Sequence, residues 1–453
     1  MNQISFWCLS LLLTVVIAAE ETPITRIAFG SCANQSAPQP IWDAINKFDP
    51  QLFIWLGDNI YGDIRRPLTV IGKERTFGPW RNSPRFVPSS EEEMKLRYAK
   101  AKANPGYSRI QRKAKVIGTW DDHDYGLNDA GKEFDRKVIN QKLMLDFLNE
   151  PLDSPRRKQA GVYASYTYGP PNRKVKVIVL DTRYHRDPLR SDGSILGDTQ
   201  WDWLENELSG PRSEITIIGS SVQVISNLSA TTGPLFYMES WGRFPKERKR
   251  LFKLIADTKR DGVIFISGDV HFGEITRYDC SVGYPLYDVT SSGLVQSVEK
   301  VVPRPLRSIV RLLFWYTPST MRVINDNCKF KSCTYGIILN LIPFTFSSDK
   351  LWKDLLTSQD TLEIRDVNGD TVLGTNVSLS ELQPGGSNSL KDTTTKGKSQ
   401  RYCTLEIELP GTTRYRLAVL IYFTIAVLAM AILGLIIGAV LAITACVYKC
   451  KVD

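Results

Sequence analysis

Five short stretches hold most of the residues able to do metal or phosphate chemistry. They are Gly30-Ser31-Cys32, Gly57-Asp58-Asn59-Ile60-Tyr61-Gly62-Asp63, a run from Asp121 to Asp129, Asp181 to Asp187, and Gly268-Asp269-Val270-His271. Taken singly, each has the bland reading of a turn after a strand. The third is harder to dismiss, because Asp121, Asp122, Asp124 and Asp129 sit within one short run beside His123 and Asn128. Such like charges repel unless a cation or arginines neutralise them. Carboxylate and amide oxygens suit hard cations, whereas thiolate, phenolate and imidazole suit a ferric-type centre. Two neighbouring cations can clamp a phosphoryl group for in-line displacement. Arg183 and Arg186 supply planar donors of the kind that hold a phosphate. The chain has only three histidines, His123, His185 and His271, so a site of four imidazoles is excluded.

Each stretch follows an apolar, β-rich run, and those runs must place it. Ile24–Phe29, Leu52–Leu56, Val116–Trp120, Lys174–Leu180, Glu214–Gly219 and Gly262–Ser267 read as buried strands. Ile41–Lys47, Asp135–Leu148, Thr199–Leu208 and Lys246–Thr258 read as helices between them. Alternation of this kind argues for an α/β core, and in such sheets ligands bind at the carboxyl ends of the strands. Arg65–Pro88 reads as a loop insertion and Gly385–Gln400 as a polar loop. After Glu274 the pattern changes to strands alone, at Leu286–Thr290, Thr361–Arg365, Thr371–Val377 and Tyr402–Leu409. No internal repeat or linker divides the body, so one domain is expected over residues 22–411.

The ordered set Gly30-Ser31-Cys32, Gly57-Asp58-x-x-Tyr61, Trp120-Asp121-Asp122-His123-Asp124, Leu180-Asp181-x-Arg183-x-x-Arg186 and Gly268-Asp269-Val270-His271 resembles the alkaline phosphatase D (PhoD-like) metallophosphatases. The resemblance runs from about Arg26 to Phe272. It implies a four-layer α/β/β/α metallophosphoesterase-like fold and a binuclear or larger centre of iron plus calcium that hydrolyses phosphomonoesters and phosphodiesters. By matching, Cys32 and Tyr61 would be iron ligands, and Asp58 the bridging carboxylate. Asp122, with Asn128 as a nearby alternative, would be a further ligand, and Asp269 and His271 the closing pair. His123 would assist the leaving group. Asp124 stands where many members have glutamate, and the stretch near Ser220, Ser221 and Gln223 lacks the histidine that the wider superfamily places there. The alternative is a catalytically silent membrane receptor on the same scaffold.

The two ends bear on compartment. Met1 to Ala19 reads as a secretory signal peptide with a short apolar run. Residues 417–447 contain no charged residue, and such a run is longer than the roughly 20 residues a membrane span needs. Lys449 and Lys451 on the short side fit the positive-inside rule. The expectation is a single-pass type I membrane protein at the cell surface or in an endomembrane lumen, with residues 448–453 as a cytosolic stub. Gly434 and Gly438 have the spacing for helix pairing, hence a possible dimer. Asn34, Asn227 and Asn376 begin glycosylation sequons. Of the ectodomain cysteines, Cys32 is expected to stay a free ligand, Cys280 to pair with Cys403, and Cys328 with Cys333, on proximity alone.

Composition narrows the remaining classes. The 453 residues are 43% hydrophobic and 23% charged, which excludes wholesale disorder. Lys and Arg number 57 against 48 acids, a net charge of +9. The basic residues are scattered, so no nucleic-acid-binding module is expected. Val301 to Val323 mixes arginines with apolar residues, and reads as a helix over the core or against a lipid surface.

Overall fold

In a computed structural model, the described residues are 23–65, 86–189, 193–226, 239–296, 334–339, 359–384, 402–405 and 411–452. The signal peptide, most of Arg65–Pro88, the sequon at Asn227, Val301 to Val323, the Cys328–Cys333 pair and Gly385–Gln400 lie outside them.

The chain forms two six-stranded mixed sheets. The first takes β1 (Arg26–Gly30), β2 (Leu52–Leu56) and β5 (Lys115–Thr119) in parallel. It is extended antiparallel by β12 (Thr334–Leu339), β13 (Gln359–Asp366) and β14 (Thr371–Ser378). The second runs β7 (Val175–Val179), β8 (Ile215–Ser220), β9 (Val263–Ser267) and β11 (Leu286–Ser291) in parallel. Antiparallel β6 (Ala164–Tyr168) and β10 (Gly273–Tyr278) close its edges. The short β3 (Ile64–Arg65) and β4 (Phe86–Val87) pair with each other.

Alternation along β2 shows how the layers meet. Leu52, Ile54 and Leu56 join a core cluster with Val177, Ile217 and Ile264 of the second sheet. Phe53 and Trp55, facing the other way as period two requires, pack with three helices. These are α1 (Ile41–Phe48), α3 (Pro105–Lys113) and α5 (Lys137–Phe147), through Trp42, Tyr107 and Phe147. Trp55 stands edge-on to Tyr107 at 5.4 Å between ring centres, and its indole N–H donates to the Tyr107 hydroxyl at 3.0 Å. This satisfies the one polar atom of a fully buried indole. On the second sheet, α6 (Gly197–Ser209) and α7 (Pro245–Asp257) bury Trp201, Leu204, Leu251 and Ile255.

The expected strands and helices before Glu274 form within a few residues of their predicted bounds. Several elements were not anticipated. The helix α2 (Glu91–Lys102) buries only a narrow stripe, Met94, Tyr98 and Ala101, and Ser90 and Glu93 form a capping box at its start. The expected strand over Tyr402–Leu409 is not seen in its described part, where residues 402–405 form turn and coil. Cys403 is bonded there to Cys280, at the end of β10, as anticipated. The last helix, α8 (Gly411–Val452), contains the exposed apolar run Ala418–Ala445, long and apolar enough to cross a membrane.

Candidate metal and phosphate site

The strand ends do converge. Ser31, just past β1, bridges to Ser292, just past β11, which joins the two sheets at one edge. The loop at Cys32 is further held by N–H groups of Leu294 and Val295, which donate to the carbonyls of Ser31 and Cys32. Gly57 turns the chain at φ +94°, and a Cβ there would lie 2.4 Å from the Asp121 Cβ. Only glycine allows the loops after β2 and β5 to approach this closely.

Four of the expected metal ligands, Cys32, Asp58, Asp269 and His271, have positive φ, between 50° and 69°. Such backbone is costly for non-glycine residues and collects at functional sites. Here the distortion turns side chains at the ends of buried strands toward one another. The Cys32 Sγ lies 3.4 Å from Asp58 Oδ2 and 3.1 Å from Ser292 Oγ. The Tyr61 hydroxyl is 3.0 Å from His271 Nε2.

Among the described residues, three clusters have ligand atoms within 4.8 Å of one another: Cys32, Asp58 and His271; Asp58, Asp122 and His123; and Asp122, Asp129 and Glu239. Asp58 belongs to two of them, as a bridging carboxylate would. Asp122 likewise links the second to the third. The Asp269 carboxylate falls outside all three, although its backbone oxygen is 3.7 Å from Cys32 Sγ. Asn128 is placed beside the site through its backbone, whose N–H donates to Asp63 Oδ2 at 3.0 Å. His185 lies apart, with Nε2 3.0 Å from the Ala160 carbonyl.

Burial and mutual repulsion dominate the electrostatics. Burial, then the Asp58 charge, pushes the Cys32 thiol well above its usual range. Burial likewise raises Asp58, Tyr61 and Asp269. Burial is the first cause in each, so these groups are poor anions in the bare protein. A bound cation would reverse that, so thiol, phenol, imidazole and carboxylates fit the implied metal centre in donor chemistry as well as position.

Arg183 and Arg186 answer to a different need. Arg183 is fully buried, with Nε donating to Asp121 Oδ1 at 2.7 Å and Nη2 paired with Asp121 and Glu239. Arg186 donates to the Asp129 carbonyl at 2.6 Å and lies 3.4 Å from Glu239 Oε1. The direct phosphate-holding expected of them is therefore not what this geometry presents. Both guanidiniums are buried and engaged with the acid cluster, and they neutralise it.

Sequence reasoning missed Glu239, Asp63 and the role of Asp124. Glu239 stands in Met-Glu-Ser-Trp with no motif around it. Asp63 closes its loop with no spacing that marks it, and its carboxylate reaches His123 Nδ1 at 2.8 Å. Asp124 is a buried acceptor for the backbone N–H groups of Asp58, Asn59 and Asp121, so it ties two loops together. The usable signal was its neighbour spacing: Asp121 and Asp124 stand three apart at the start of the short helix α4 (Asp122–Tyr125), as a capping residue and its partner do.

Two strand-end loops from one sheet and three from the other, meeting at a cluster of metal-ligand types, are the features of an α/β protein with a polynuclear site. Residues 27–303, more than half of the chain, match the PhoD-like phosphatases, and the chain belongs to that family. It is 23% identical over 286 residues to alkaline phosphatase D of Bacillus subtilis (strain 168), covering 57% of this chain and 48% of that protein. The chain thus spans about half the length of that curated relative. Among solved structures it resembles one described as the structure of PhoD, with a TM-score of 0.52 at 18% identity. That match covers 79% of this chain and 72% of the other. At that identity the likeness shows the fold.

Proposed function

We propose that the protein is a metal-dependent phosphoester hydrolase of mono- or diesters. The observation that carries this reading is Asp58 shared between the Cys32–His271 cluster and the Asp122–His123 cluster, with both at the ends of buried strands. Cys32, Asp58, Tyr61 and His271 would hold iron, and Asp58, Asp122, Asn128 and Asp269 calcium. When bound, these cations supply charge for the phosphoryl oxygens and an acidified water. The chain's own residues do the rest. His123 stands with its backbone N–H 3.3 Å from Asp58 Oδ1, at the edge of the shared cluster, and holds a proton for the departing oxygen. Its neighbours Asp122, Asp58 and Asp63 raise its basicity well above that of free imidazole, against the effect of burial. Arg183 and Arg186 keep Asp121, Asp129 and Glu239 in place.

The same reading makes the fold a four-layer α/β/β/α stack, with an apolar helix that spans a membrane. The site then faces outside or into a lumen as a type I protein, after removal of an N-terminal signal. The sequons at Asn34 and Asn376 would carry glycans on that side. The decisive experiment is to purify the full chain, load it with iron plus calcium, and measure phosphate or nitrophenol release from a panel of mono- and diesters. Turnover lost on chelation and restored by the two metals is the expected result. Bound metal without turnover on any ester would overturn the enzymatic reading and favour a silent receptor.

A further inference from the structure

His123 is one side chain in a small constructed setting. Its Nδ1 lies 2.8 Å from Asp63 Oδ1, and Asp63 Oδ2 accepts from the Asn128 N–H at 3.0 Å. The Tyr61 ring lies 4.3 Å from the imidazole and the Phe86 ring 5.5 Å, which restricts rotation of its plane. Asp63 itself is fixed from outside the site. One nitrogen of Arg97, on α2, donates to the carbonyls of Tyr61, Gly62 and Asp63 in a row, at 2.9 Å to Tyr61 and 2.8 Å to Asp63. The Gly62 N–H in turn donates to the His123 carbonyl at 3.0 Å. Asp63 is buried, at 7% exposure, and belongs to none of the three ligand clusters itself; it reaches the second through His123.

We propose that Asp63 is a positioning residue that fixes the tautomer of His123. Its carboxylate takes the Nδ1–H, so the Nε2 is the atom left to exchange a proton with the reacting ester. In the hydrolytic step, Nε2–H protonates the departing alkoxide as the P–O bond breaks, and the phosphate retains the oxygen delivered by water. Asp63 orients the imidazole and takes no part in the proton transfer itself, as a carboxylate behind a catalytic imidazole does. Arg97 serves the same purpose at one remove, since it holds the loop on which Asp63 sits. This inference rests on the phosphoesterase reading, and goes beyond it by assigning the residue that makes His123 directional.

The test separates leaving groups. An alkyl ester needs a proton on its departing oxygen, whereas nitrophenolate leaves without one. Asp63→Asn keeps size and hydrogen-bonding capacity but removes the charge. With metals loaded, it should lower kcat on an alkyl phosphoester about tenfold or more, leave KM little changed, and affect the nitrophenyl ester much less. Combined with His123→Ala, it should add no further loss. A second readout needs no activity. With only three histidines in the chain, nitrogen-15 spectra of the imidazoles in the full-length protein should show His123 protonated at Nδ1, and that signal should move in Asp63→Asn. Equal loss on both ester types, additive loss in the double variant, or a His123 with bare Nδ1 would each overturn the assignment. If the wild type cleaves no ester at all, the functional reading fails, while the spectra still decide the tautomer.

Discussion

Two halves of one site solve the problem of buried charge in opposite ways. Around Cys32, the thiol, the Asp58 carboxyl, the Tyr61 phenol and His271 face one another, and among the described residues no arginine or lysine is paired with them. Burial holds thiol, carboxyl and phenol well above their ordinary pKa values and lowers His271 to about 4. Around Asp121 and Glu239, the chain brings its own cations, Arg183 and Arg186, within ion-pair distance. The first half gathers donors that suit a cation; in the second, two guanidiniums already offset part of the acids' charge. The difference teaches that metal binding and scaffold rigidity are separable here, and that substitutions can be sorted by which half they touch.

The largest effect should come from Asp58→Asn, because that carboxylate is common to two clusters. Elemental analysis should find metal lost from the purified variant, and turnover should fall below detection. Retention of full metal content would break the comparison at its centre. Next comes His123→Ala, expected to keep metal while slowing turnover by ~10²–10⁴-fold, the usual worth of general acid–base help. An emptied site would make His123 a ligand instead.

Arg183→Ala tests the other half. It leaves Asp121 and Glu239 buried without their counter-charge, which for buried pairs costs about 3–5 kcal/mol. A lower thermal midpoint is expected, while the visible charge-transfer band of a thiolate- or phenolate-bound ferric ion should survive in the folded fraction. Loss of the band with no loss of stability would reverse the assignment of the two halves.

The smallest effect belongs to a carboxyl outside both. Asp288 is pushed up to about 6 by burial, despite hydrogen bonds from the N–H groups of Val224 and Ile225 and from Ser267. Its folded pKa lies above the unfolded one. The stability it contributes is therefore fully present below about pH 4 and is lost as pH rises through about 6, at ~1.4 kcal/mol per pKa unit. Thermal midpoints between pH 4 and 7 should show a shallower decline in Asp288→Asn than in the wild type. An unchanged slope would assign the dependence elsewhere.

The half around Cys32 was readable in the sequence, and the other only in part. Cys32, Asp58, Tyr61 and His271 each sit within a few residues of a strand end, so strand prediction alone brings them to one edge. The Cys280–Cys403 bond was reached on proximity alone, since four cysteines left three pairings open. Glu239 was invisible because its position depends on how the chain returns after Ser226, which no local pattern encodes. The partners of the arginines were illegible for a related reason. Their charge is legible in sequence, but whether it faces a substrate or a neighbouring acid is settled only by packing. The α2 helix escaped because its buried face is three residues wide, too few to produce a periodic signal.

The Cys280–Cys403 bond also sets the length of a leash. Only residues 404–410 separate Cys403 from the start of the apolar helix at Gly411. At ~3.5 Å per residue, this stretch reaches about 25 Å. With that helix in a bilayer, as proposed, this one bond would cap how far the disulfide-tied body can stand from the first turn of the helix.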